Sequence, residues 1–335
     1  MLQLKNDTPF QANMHLMPGP DGIDSLFTVV KGTFTLDAEP RPADEQVPVV
    51  LADEYYGEPG ETSIRAASDL SLTKPGTDVL LVGHAYAARG RTVSEMDVTL
   101  SVGPVYKTVR VIGDRVWQKS GIGVSMSAPL PFEAMPLTWE RAFGGSDTVD
   151  SELRAEACNP VGTGFRAPDG DVELDGLPLP NLEDPRHLIG SWKDNPPPAC
   201  FAPLCAHWEP RRSYAGTYDE KWKRERAPYL PDDFDTRFFQ VAPPDLVMSG
   251  HLKGSEPVEV FGASPSGALQ FRLPAVALRI AYVLDSDTHL QPANLDTIII
   301  EPDAARFALV WSAVLVCDKN ARRVKQVGVT ALGRA

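Results

Sequence analysis

No apolar stretch in this sequence is long enough to cross a bilayer: the longest, Phe307 to Cys317, is 11 residues and contains Ser312, against the roughly 20 a spanning helix needs. The N-terminus, MLQLKNDTPFQA, carries Lys5 and Asp7 and has no apolar run of the signal-peptide kind, so neither export nor membrane insertion is expected. Cysteine is scarce. Cys158, Cys200, Cys205 and Cys317, without an export signal, read as reduced thiols of a cytoplasmic protein. Basic residues are the minority, 32 Lys and Arg against 45 Asp and Glu for a formal charge of −13, which repels phosphate backbones and argues against direct nucleic-acid binding.

Catalytic and cofactor motifs are missing as well. Gly262-Ala263-Ser264-Pro265-Ser266 lacks the closing glycine of a nucleophile elbow and reads as a turn. Walker A, H-E-x-x-H and C-x-x-C do not occur, and no cofactor is expected. Cys200-x4-Cys205-x-His207, with Cys158 upstream, offers soft ligands at a spacing that suits no common zinc site, and Pro203 interrupts it. Buried thiols are the better reading. Residues 169–176 place acids at positions 1, 3, 5 and 7 of a calcium-like loop, but position 12 would be Pro180 instead of a bidentate Glu. No bound metal is expected.

What the sequence does have is period-2 alternation at both ends. In Glu95–Val102, Met96, Val98, Leu100 and Val102 alternate with polar residues, the pattern of a strand with one wet face. Gly103-Pro104 turns into Val105–Ile112, and Gly113-Asp114 signals a second hairpin into Arg115–Trp117. Further strands are expected at Leu26–Leu36, Val47–Leu51 and Asp78–Ala87, and a five-strand meander follows Pro257. Residues 150–250 hold 14 of the 31 prolines but also 11 of the 27 aromatics, too many rings for a disordered linker. Thr217 and Glu220 form a capping box for a helix near 218–226 that Pro228 ends. The expected fold is all-β: an antiparallel β-sandwich-like core with an ordered proline- and aromatic-rich loop region and one short helix. Its limits are an N-terminal segment 1–25, one domain 26–317 (first half 26–150, insert 150–250, C-terminal meander 257–317) and a tail 318–335.

Candidate contact residues fall in two places. Residues 37–61 contain eight carboxylates against one arginine, and at their end Asp53, Glu54, Tyr55, Tyr56 and Glu58 combine acids with tyrosines, which favour recognition surfaces. Trp208, Arg211, Tyr218 and Trp222 mark an aromatic and basic stretch that suits a protein contact.

A set of strings carries a family resemblance: Val30-Lys31-Gly32-Thr33-Phe34, ADEYYGEPGETSIR (52–65), KPGTDVLLVGHA (74–85), MPLTWERAFGG (135–145), NPVGTGF (159–165), LPNLEDPRHLI (179–189), WEPRR (208–212) and AGTYDEKWKRERAPYLPDDFD (215–235). Together they resemble the bacterial family called domain of unknown function 2169, found in type VI secretion gene clusters, over about residues 26–316. The resemblance implies a cytoplasmic adaptor or chaperone that binds a toxin effector and helps to mount it on the spike and tip proteins. It carries no catalytic residues. The chain departs at Trp139, where relatives often have Tyr, and at Leu246–Pro257, which leaves partner identity open. The competing reading is a β-sandwich hydrolase or carbohydrate-active enzyme with a carboxylate pair near Tyr55.

Overall fold

The computed structural model describes residues 2–19, 21–121, 123–167, 173–285, 287–317 and 323–332. Alternation becomes pairing where it was strongest: Glu95–Val102 and Val105–Ile112 form an antiparallel hairpin, with Val102 opposite Val105 and Gly103 in the left-handed region at φ +54°. This hairpin sits in a five-stranded sheet ordered Leu182–Glu183, Val105–Ile112, Glu95–Val102, Pro257–Phe261, Leu269–Arg272. Val98, Leu100, Val258 and Val260 bury its inner face completely.

A second five-stranded sheet runs Gln11–Pro18, Asp24–Thr35, Arg306–Val316, Asn294–Glu301, Asp78–Leu81, antiparallel except for its last pair. Its inner face carries Val30, Phe34, Phe307, Leu309 and Trp311. Phe307 stacks on Phe271 of the first sheet with centroids 4.9 Å apart, and each buried ring contributes about 1.5–3 kcal/mol. A third, four-stranded sheet, Gln3–Asn6, Gln326–Leu332, Ala277–Val283 and Thr288–Pro292, meets the same inner face through Tyr282, whose hydroxyl donates to Thr28 Oγ1 at 3.2 Å. One hydrophobic core thus serves all three sheets. Close approach inside it requires Gly32, because a Cβ there would lie 2.9 Å from the Phe10 ring. The architecture is all-β, as expected, with one α-helix among the described residues.

Several local expectations give way to long-range partners. Val47–Leu51 is not a strand: Val50 donates to the Asp69 carboxylate and its carbonyl accepts the Asp69 N–H. After Gly113-Asp114 there is no hairpin, since Ile112 donates to Asn181 at 2.8 Å and Trp117–Ser120 pairs with Gly123–Met126. The C-terminal meander is divided over the three sheets. Segment 1–25 and the tail both supply strands, Gln11–Pro18 against Asp24–Thr35 and Gln3–Asn6 parallel to Gln326–Leu332, so the domain reaches further at both ends than 26–317. The helix is Glu220–Glu225, and Asp219, not Thr217, caps it by accepting from Trp222 N–H. Thr217 is held instead by the Asp233 carboxylate.

Candidate functional site

On the outer face of the second sheet one register row reads Lys31, Val310, Thr297, Asp78 across four strands. Alternation puts these residues opposite the core, where water is the ordinary neighbour. Yet Lys31, Thr297 and Asp78 are all buried. Residues 47–69 lie over the Lys31 end of the row as a strap, whereas Val241 and Val247 meet Asp78, and between strap and sheet is a cavity of about 540 Å³ lined by Lys31, Asp53, Asp69, Lys74, Ile299 and Ala308 among others.

Side chains, not strand pairing, hold the strap. Gln11–Pro18 stops opposite Lys31, leaving Thr33 with a free edge. The Gln46 amide fills it together with the backbone of 41–43: Gln46 accepts from Thr33 N–H at 2.8 Å and donates to the Thr33 carbonyl at 2.9 Å, which also accepts the Ala43 N–H at 2.9 Å. Lys31 Nζ reaches Asp69 Oδ2 at 2.9 Å, the same oxygen that takes Val50 N–H at 2.7 Å. Asp53 accepts from Ser68 N–H at 2.8 Å, and Glu140 accepts from both the N–H and hydroxyl of Ser63.

Deeper in the row, Lys74 Nζ donates to Asp78 Oδ2 at 2.7 Å and to Thr297 Oγ1 at 2.8 Å. Burial pushes the neighbouring Asp296 carboxyl up to about 6, against the opposing pull of Lys74 and of the Ser312 hydroxyl that donates to it. Ser312 and His251 both address Asp296. The acid therefore stands between hydroxyl and imidazole, and His251 is not placed to take the serine proton. Burial also raises the thiols of Cys200 to about 11 and Cys205 to about 12, which keeps them protonated and poorly nucleophilic at neutral pH. Among the described residues no three His, Cys, Asp or Glu side chains are placed to hold a metal; residues 169–172 of the calcium-like loop lie outside the described residues.

The expected contact residues separate by depth. Tyr55 packs on the main core, whereas Tyr56 is 47% exposed, because neighbours in the short strand Glu54–Tyr55 and beyond face opposite ways. Glu54 is engaged by Arg65 at 2.5 Å, and the Glu58 carbonyl closes the 58–62 turn. Trp208 is 1% exposed and meets Trp139 edge-on at 6.0 Å, so it packs the core and offers no surface to a partner. Arg211 is buried too, donating to the Leu204 and Phe238 carbonyls, within electrostatic reach of Asp53 and Tyr55. Tyr218 and Trp222 contact each other with centroids 4.7 Å apart and Trp222 donates to the Tyr229 carbonyl.

Sequence reasoning missed Lys31, Asp69, Lys74, Asp78 and Asp296. The available signal was a lysine inside the apolar strand Leu26–Leu36 and the charged pair of Lys74-Pro75-Gly76-Thr77-Asp78. Other family strings prove structural: the Asn159 amide donates to the carbonyls of Trp139 and Phe143 at 2.8 and 2.9 Å, and the Trp139 indole donates to Ala202 and Pro203.

Packed antiparallel sheets with a strapped outer face define an all-β protein whose buried charged pairs tie loops to strands. The chain belongs to the family described as an uncharacterized protein conserved in bacteria (DUF2169), whose model matches residues 21–312. No curated protein matches it, and no solved structure does.

Proposed function

We propose that this protein is a non-catalytic type VI secretion adaptor or chaperone that binds a toxin effector in the cytoplasm and promotes its loading onto the spike and tip proteins. One observation carries the reading. Asp37, Glu39, Asp44, Glu58 and Glu61 are exposed and form no ion pair among the described residues, whereas exposed Glu45 is within electrostatic reach of Arg306, and exposed Leu51 and Tyr56 lie in the same segment. Uncompensated charge on one segment repels itself and is relieved by a cationic partner. The buried links of the strap present Leu51, Tyr56, Glu58 and Glu61 on a rigid support, which lowers the ordering cost of association.

Support also comes from the chemistry beneath. The cysteines are raised, the serine, acid and histidine are in an order unsuited to nucleophilic attack, and Glu54 is committed to Arg65. The test is deletion of the gene in its bacterium. Spike firing should persist while delivery of one toxin fails and that toxin no longer co-purifies with the spike; unchanged delivery of every toxin overturns the proposal. Glu58→Gln with Glu61→Gln should flatten the salt dependence of toxin association, because rim charges act mainly on the association rate.

A further inference from the structure

The edge of the first sheet is incomplete. In a two-residue hairpin the flanking residues exchange both hydrogen bonds. Val105, Lys107 and Val109 therefore bond to Glu95–Val102, while Tyr106, Thr108 and Arg110 turn N–H and C=O outward. The Ile112 N–H, which donates to Asn181 on that outer side, fixes the parity. Leu182–Glu183 covers the edge only opposite Val111 and Arg110, because the chain then turns, with the Asp184 carboxylate accepting from Arg186 N–H at 2.9 Å. Among the described residues no backbone partner reaches the outward groups of Tyr106 or Thr108.

Those groups face a recess of about 630 Å³ whose apolar walls include Pro197, Pro198, Ala199, Leu204, Pro243 and Pro244. Proline has no N–H, so these walls cannot satisfy the edge carbonyls themselves. A bare edge invites uncontrolled sheet pairing, but a recessed one admits a single narrow strand. From Val105 to Val109 there is room for about four extended residues at roughly 3.4 Å each.

We infer that this recess binds an extended peptide segment of a partner protein, added antiparallel to Val105–Ile112 in line with Leu182–Glu183. The main chain supplies hydrogen bonds to Tyr106 and Thr108, and alternate side chains, small and apolar, meet the proline wall. The inference rests on the protein-binding reading above for the existence of a partner, but its test does not. The probe is a capped Thr-Val-Thr-Val-Thr-Val peptide, alongside two versions N-methylated on alternate amides. Binding to the full chain is followed by titration and by amide exchange at Tyr106 and Thr108.

Expected are fast exchange of both amides in the free protein, protection on peptide addition, and at least a tenfold loss of affinity for one N-methylated version only. Thr108→Pro removes an outward donor outside the hairpin ladder and should weaken the unmodified peptide similarly. No binding at millimolar peptide, or equal binding of all three versions, overturns the inference. So does protection in the free protein that grows with its concentration, which would give the edge to a second copy of the chain. Since the N-methyl comparison uses unaltered protein, it decides the matter even where Thr108→Pro fails to fold.

Discussion

Lys31 Nζ lies 2.9 Å from Asp69 Oδ2, with the two side chains 4% and 3% exposed, and this pair joins a central strand to the strap that covers it. Removing one partner leaves a charge buried alone. Lys31→Met or Asp69→Asn should therefore cost about 3–5 kcal/mol, read by urea unfolding, and should expose residues 47–69 to limited proteolysis before the sheets unfold. In a double-mutant cycle the second substitution should cost much less than the first; additive losses would mean that the pair does not anchor the strap.

Asp296 sets a pH dependence. Burial lifts its carboxyl to about 6, above the ordinary aspartate value, so its contribution to stability is full below about pH 4 and is lost as pH rises through 6. The loss is on the order of 3 kcal/mol, because each tenfold change in proton affinity is worth about 1.4 kcal/mol. Asp296→Asn should gain stability relative to the native chain as pH rises from about 4.5 to about 7.5, across the interval in which the native carboxyl ionises. Denaturation curves of the two proteins that stay equally far apart at both pH values would count against it.

Asn159 is wholly buried and serves two carbonyls. Asn159→Ala takes the side-chain donor from both, leaving the Trp139 carbonyl only the Ala142 N–H and the Phe143 carbonyl unpaired, which should cost about 1–3 kcal/mol. Asn159→Asp should be worse, since it removes the donors and buries a charge. Thermal unfolding of the two variants, ranked in that order, is the check.

Thiol chemistry should follow burial. At pH 8 a thiol-specific reagent should modify half-buried Cys158 first and reach Cys200, Cys205 and Cys317 only with unfolding. Rapid labelling of Cys200 or Cys205 in the folded protein would show that the loops around Trp208 open on their own.

What the sequence determined by itself was the class of structure and the strands with the strongest alternation. Glu95–Val102, Val105–Ile112 and Pro257–Phe261 were legible because a period of two under one-sided burial is written in neighbouring residues. The aromatic excess of 150–250 likewise announced order, realised in buried Phe201 and Trp208. Only the tertiary structure decided which strands pair, because partners such as Gln3–Asn6 and Gln326–Leu332 are separated by almost the whole chain and short-range pattern cannot choose among distant edges. Burial of Lys31 and Asp78 was likewise decided there. A charged residue on the wet face of a strand has the same local pattern whether water or another segment lies above it, and the strap of 47–69 is held by side-chain hydrogen bonds whose partners, Thr33 and Glu140 among them, are brought near only by folding.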